Sequence, residues 1–294
     1  MPYLGEIAGI GTAILWAANA IFFAEGAKRI DALSVSILRL ILASVVLIGL
    51  HLTLGGRFNF QLDAVLWLGA SGIVALAVGD WFLFSALGRI GPRIVMLVMS
   101  ASPVFAALIA WIFLKEGLGL MAIGGIALVV GGICLVVLNK KGNEHLEKRN
   151  LLTGVIFSVL ASIGQGSGLV IAKHGMSLGV GEIDATMIRV LVATVVVALF
   201  TLIIGRGKRV AASARNTKAM LFVALGTTIG LIMGTLLAFV SINNTEVGVG
   251  ATLISLSPLI LLPASRIIYR EKITLIGVLG TIVALVGVAL LMLR

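Results

Sequence analysis

Within the stretch GDWFLFSALG (79–88) a single acid, Asp80, interrupts a run otherwise fit for hydrocarbon. A carboxylate at bilayer depth costs roughly 2.5–3.5 kcal/mol on insertion scales, so it is expected to face the bundle interior rather than lipid. Desolvation favours its neutral form. Asp80 therefore reads as a proton-exchange site or a partner for a substrate cation, facing a wet cavity. The structural alternative is a hydrogen bond to a neighbouring helix end, or an ion pair with Arg89 or Arg93. Asn19 and Gln165 add amides, which both donate and accept and so can hold a carboxylate, an amine or a water. Trp16 lies one helical turn before Asn19, and Thr12 one turn before that. Their bland alternative is glue between helices.

Two prolines, Pro103 and Pro258, sit in matched SxSP strings with Ser100, Ser102, Ser255 and Ser257 beside them. A proline inside a helix lacks an N–H and clashes with the carbonyl four residues back, here Met99 and Ile254. Such freed carbonyls are tolerated only where protein or a wet cavity satisfies them. The prolines are thus predicted to be hinges, with Ser100 and Ser255 lining the substrate path or else bonding to their own backbone. Arg39 and Arg189 each lie a turn or two into an apolar run. Snorkelling to the headgroups is the default for both; a gate or an anion contact is the alternative. The substrate set is then Trp16, Asn19, Asp80, Ser100, Gln165 and Ser255, and the gating set Arg39, Pro103, Arg189 and Pro258. His51, His145 and His174 are scattered, Cys134 is alone, and no phosphate-binding loop occurs. No metal, cofactor, disulfide or ATP is expected.

The elements that must position these residues follow from composition. The 294 residues are 60% hydrophobic and 12% charged, with a mean hydropathy of +1.19, a balance that excludes a soluble domain. Spans of about 20 residues fall near 3–24, 33–54, 63–87, 92–114 and 119–138, then 151–172, 183–204, 218–241, 248–269 and 273–293. The net charge of +10 lies in loops between apolar blocks, which marks topology rather than nucleic-acid binding. The N-terminus lacks the basic start and cleavage site of a signal peptide, so the first span is expected to remain in the mature chain. Glycines at 226, 230 and 234 form a doubled GxxxG ridge, suited to packing within the bundle or to a dimer. Monomer and homodimer both stay open.

The expected fold is all-α and integral to the membrane, with ten helices in two five-helix halves, 1–139 and 151–294, joined by a polar linker at 140–150. SASPVFAALIAWIFLKE (100–116) aligns with SLSPLILLPASRIIYRE (255–271) at an offset of 155, which pairs Glu116 with Glu271 and Asp80 with Thr235. The start of the halves aligns near 146, pairing Thr12, Trp16 and Asn19 with Ser158, Ser162 and Gln165; Arg39 and Arg189 match at 150. An odd number of spans per copy inverts the second copy, a transporter signature with its site between the copies. Loops after the odd-numbered spans hold fifteen Lys and Arg against four on the other side, which places those loops in the cytoplasm and both termini outside. Glu116 and Glu271, ending their helices near Lys115, Arg270 and Lys272, read as interfacial salt-bridge or capping residues. Isolated polar residues speak against an intramembrane lipid-modifying enzyme, which needs clustered acids, a metal or a catalytic His. A membrane sensor or scaffold is the other alternative.

GDWFLFSALGRIGPR (79–93), the SxSPVFAALxAWxFLKE run with its second-half partner, and GVLGTIVALVGVALL (277–291) resemble the EamA-type carriers of the drug/metabolite transporter superfamily over nearly the whole chain. The resemblance implies a basket of two inverted five-helix repeats in a bacterial cytoplasmic (inner) membrane. It further implies movement of a small-molecule substrate such as an amino acid or a drug-like compound, often outward, by alternating access; proton coupling is what Asp80 would add. It also implies cytoplasmic termini, against the loop charges.

Overall fold

The apolar runs become helices, and among the described residues there is no strand. The computed structural model describes residues 3–54, 60–114, 119–139, 146–244 and 247–292. In chain order the helices are α1 (Leu4–Ala27), α2 (Ala32–Thr53), α3 (Leu62–Gly72), α4 (Asp80–Met99), α5 (Ser102–Leu114), α6 (Leu120–Val137) and α7 (Lys148–Met176). They continue as α8 (Glu182–Ile203), α9 (Gly207–Ala214), α10 (Thr217–Thr227), α11 (Thr235–Asn244), α12 (Val247–Ile254), α13 (Ser257–Ile268) and α14 (Leu275–Met292). Seven helical runs among the described residues are long and apolar enough to cross a membrane, and three shorter helices are apolar. Local signals set several starts: Asp31 caps α2 through the Ser34 N–H, and Asn216 caps α10 through the Ala219 N–H.

The longest run, Leu62–Met99, counts 38 residues, which as a straight helix would reach about 57 Å, well past a hydrocarbon core of about 30 Å. It is two limbs. The helix breaks at Gly91, whose φ of 75° is a conformation glycine adopts without a Cβ penalty, and Pro92 opens the next limb. That limb breaks again after Met99, where Ser100 and Ala101 leave the helix before α5 begins. The same interruption recurs between α12 and α13, at Ser255 and Leu256. The prolines therefore do not sit inside bent helices, as their sequence suggests. Each stands in the first turn of a new helix, where its missing N–H removes no helix bond.

Two features went unseen in the sequence. A π-helical segment, Ile73–Gly79, joins α3 to α4, and a second, Thr228–Gly234, joins α10 to α11. At the offset of 155 these segments coincide residue for residue, and Asp80 and Thr235 are the residues that follow them. The other is α9, a short amphipathic helix carrying Lys208 and Arg209 between α8 and α10.

Equivalent parts of the two halves lie against each other in opposite directions. A Cβ on Gly132 would meet the Gly280 oxygen at 2.4 Å, and one on Gly125 the Gly287 oxygen at 2.8 Å. Helices α6 and α14 hence cross antiparallel with their backbones touching, an approach only glycine permits. The α2–α8 pair is also antiparallel, fixed by Ser44 to Thr194 at 2.9 Å and His51 to Asp184 at 2.7 Å. Ser44 and Thr194 are equivalent at offset 150, so a pseudo-twofold passes between their hydroxyls.

Candidate functional site

Asp80 opens α4 directly after the first π segment and is only 1% exposed. One carboxylate oxygen, Oδ2, is ion-paired with Arg39 Nη1 of α2. The other, Oδ1, accepts from Gln165 Nε2 of α7 at 3.1 Å. The Arg39 guanidinium lies 5.7 Å from the ring centres of both Phe23 and Phe84, within cation–π range. Three expectations are corrected by this arrangement. Arg39 does not snorkel: burial of Asp80 supplies a stronger reason to stay inside. Arg89 and Arg93 are not the partners of Asp80, since Arg89 donates to the Ser85 carbonyl at 2.6 Å and Arg93 pairs with Glu271 at 2.7 Å. And the carboxylate faces no wet cavity; it is sealed among its partners.

The amides sit in mirrored places. Gln165, from the second half, reaches the residue after the first π segment. Asn19, from the first half, lies on the second π segment, where a Cβ on Gly230 would fall 2.2 Å from its Nδ2. Trp16 packs beside it, 2.7 Å from a Cβ placed on Gly234. The glycine ridge is thus used within the bundle, against α1. The Asn19 Oδ1 is buried with no hydrogen-bond partner. Arg189 of α8 likewise has a buried Nε with no partner, and no acid pairs with it among the described residues. The two arginines stand five residues before Ser44 and Thr194 respectively, about 7.5 Å on opposite sides of the pseudo-twofold. One half holds a charge pair there and the other a lone guanidinium.

At the first break, Ser100 bonds back to the Leu97 carbonyl at 2.6 Å, so its hydroxyl is spent on its own backbone rather than on a pathway. The Val98 carbonyl, which accepts the Ala101 N–H at 3.0 Å, also accepts from the Ser162 hydroxyl of α7 at 3.0 Å. Ser162 drew notice in the sequence only as the counterpart of Trp16; a serine opposite an SxSP break was the available signal. Ser255 occupies the second break, with Pro258 just beyond it. Glu116 lies outside the described residues.

The end bearing the odd-numbered loops is closed by links between the halves. The Arg93–Glu271 pair is enclosed, with side-chain exposures of 3% and 7%. Lys28 sits 4.0 Å over the Tyr269 ring while also pairing with Glu25 at 2.8 Å. Burial pushes the Tyr269 phenol above its ordinary range, so it stays neutral there. Arg209 reaches Asp31 at 3.0 Å, and Asn139 donates to Thr274. Glu271 is thus an ionic tie across the halves.

The EamA-like transporter family matches the chain twice, over residues 3–138 and 152–293. The chain belongs to the EamA-like transporter family. Among curated proteins, an uncharacterized transporter, YvbV, of Bacillus subtilis (strain 168) is 24% identical over 148 residues. That stretch covers 48% of this chain and 47% of the relative, so the chain spans about half the length of the relative it matches. A solved crystal structure of a protein 14% identical in sequence superposes with a TM-score of 0.58, over 97% of this chain and 95% of the other; this likeness concerns the fold alone. As an EamA protein with several long apolar helices, the chain is a multi-pass integral membrane protein.

Proposed function

We propose that this EamA protein is a secondary transporter, an exporter of small metabolites such as amino acids or drug-like compounds, working in a bacterial cytoplasmic membrane by alternating access. In this reading ten spans form two inverted five-helix halves, 1–139 and 151–294, with 140–150 as the linker. The seven long runs, with Leu62–Met99 counted as two limbs and the shorter helices completing the broken spans, are compatible with that number. The observation that carries the reading is the Asp80 cluster. Its three members come from α2, α4 and α7, so Gln165 of the second half closes on a charge pair of the first. A site shared by the two copies is one that relative movement of the copies must open or remake.

Protonation of Asp80, or its capture by a substrate cation, would release Arg39 and supply the coupling. Trp16 and Asn19 of the first half, against the second π segment, and Arg189 of the second half keep polar groups for a substrate, the Asn19 Oδ1 and the Arg189 Nε being unspent. The breaks at Ser100 and Ser255, each followed by its proline, serve as hinges. The test is counterflow of labelled amino acids in proteoliposomes, with and without an imposed pH gradient. Protein-dependent counterflow that an Asp80→Asn variant keeps, but that it can no longer drive uphill with the gradient, is expected. Chemical conversion of the added compound instead of translocation would replace the transporter reading by an enzymatic one.

A further inference from the structure

Two cavities meet on the outer flank of the bundle, where α2, the first π segment and α4 of the first half face α8 of the second, near the end that bears the odd-numbered loops. One, of about 300 Å³, has a mixed wall that holds the polar groups Asp31, Ser85, Arg89 and Arg206. The other, of about 450 Å³, is walled almost entirely by apolar side chains, among them Ala77, Val78, Val197 and Phe200. Leu33, Trp81 and Arg206 line both, so the two are one continuous slot with a polar head and an apolar tail. Val78, Trp81 and Phe200 are 50%, 41% and 53% exposed, which opens the tail sideways, toward hydrocarbon. The slot passes along the first π segment and beside the residue that follows Asp80.

The head carries a net positive character. Asp31 is already engaged by Arg209 and by the Ser34 hydroxyl. Arg89 spends one nitrogen on the Ser85 carbonyl and stacks 5.0 Å from the Phe157 ring. Neither Arg89 nor Arg206 has an acidic partner among the described residues, and Lys208 follows at the start of α9. An amphiphile with a phosphate at one end and an acyl chain at the other matches this division of chemistry. A zwitterionic headgroup would bring its ammonium up against the same basic cluster, whereas an anionic one would not.

We infer that this slot is a binding site for one anionic glycerophospholipid from the leaflet facing the odd-numbered loops, its phosphate between Arg89 and Arg206 and one acyl chain along Trp81 and Val78. The inference does not depend on transport. Its test is native mass spectrometry of the detergent-purified protein titrated with phosphatidylglycerol or phosphatidylcholine of identical chains. One phosphatidylglycerol is expected to survive activation that strips phosphatidylcholine. Each arginine is expected to contribute about fivefold to retention, so an Arg89→Ala/Arg206→Ala variant should lose about 25-fold. Val78→Trp, which fills the tail at an exposed position and leaves the charges intact, should displace the same adduct. Arg206→Gln alone, at an exposed loop residue, covers the case in which the double variant does not fold. Equal retention of the two lipids, an arginine variant that holds phosphatidylglycerol like the parent, an adduct indifferent to Val78→Trp, or a second copy of the chain in place of lipid would each overturn the inference.

Discussion

Replacing Asp80 by Asn keeps the size of the side chain and removes the charge opposite Arg39. The pair is enclosed, with side-chain exposures of 15% for Arg39 and 2% for Asp80, so solvent cannot take the place of the missing carboxylate. Removing one member of a buried pair costs about 3–5 kcal/mol, while replacing both by uncharged residues of similar volume is often near neutral. Asp80→Asn and Arg39→Met should therefore each destabilise by about that amount, and the double variant by much less than their sum. The resulting coupling energy is about 3 kcal/mol or more. At roughly 2 °C per kcal/mol for a large chain, each single variant should melt about 6–10 °C below the parent. The measurement is thermal unfolding of the purified proteins in detergent, after membrane insertion has been checked with a fluorescent fusion. Additive losses in the double variant, or an Asp80→Asn protein as stable as its parent, would refute the pairing as a unit. In the same proteins, transport by Asp80→Asn that follows the parental pH dependence would reduce the carboxylate to a structural role.

An alanine at Gly132 should destabilise by about 1–3 kcal/mol, because its Cβ would lie 2.4 Å from a backbone oxygen that cannot swing aside; the same thermal assay reads it, and unchanged melting would contradict the α6–α14 contact. Alanine at Pro103 or Pro258 should preserve folding and slow transport, since the restored N–H lets the two helical pieces fuse; unchanged kinetics in both variants would leave the breaks as passive shape. A reporter fused after Arg294 should be active as a periplasmic marker and silent as a cytoplasmic one, and the reverse would reject the orientation drawn from fifteen basic loop residues against four.

The sequence made the apolar runs, the duplicated strings and the intramembrane acid plain, because hydropathy and self-similarity are written along the chain. It did not name the partner of Asp80. Arg39 is 41 residues away, and which faces of α2 and α4 meet is decided by packing, which a local pattern does not carry. Asn19 and Gln165 were legible as equivalents, yet one meets a glycine wall and the other a charge pair, a difference set by packing between distant helices. The SxSP strings signalled a disturbance but not its form. A proline inside a helix and one that restarts a helix look alike until the two residues before it are seen to leave the helix. The π segments carried no pattern that hydropathy could expose, and the lipid slot exists only between helices distant in sequence.

A π segment is a helix holding more residues per turn than the α-helix around it. Converting it back to α geometry would expel a residue from the stack and turn everything beyond it by about 100°. Such a defect can migrate like a dislocation in a crystal, advancing by breaking and remaking one backbone bond at a time without unwinding the rod. Because one defect ends at Asp80, a slip in it would rotate the carboxylate away from the Arg39 guanidinium, whereas the residue after its twin, Thr235, carries no charge. The duplicated defects would thus give the two halves the same gear, with only one of them geared to charge.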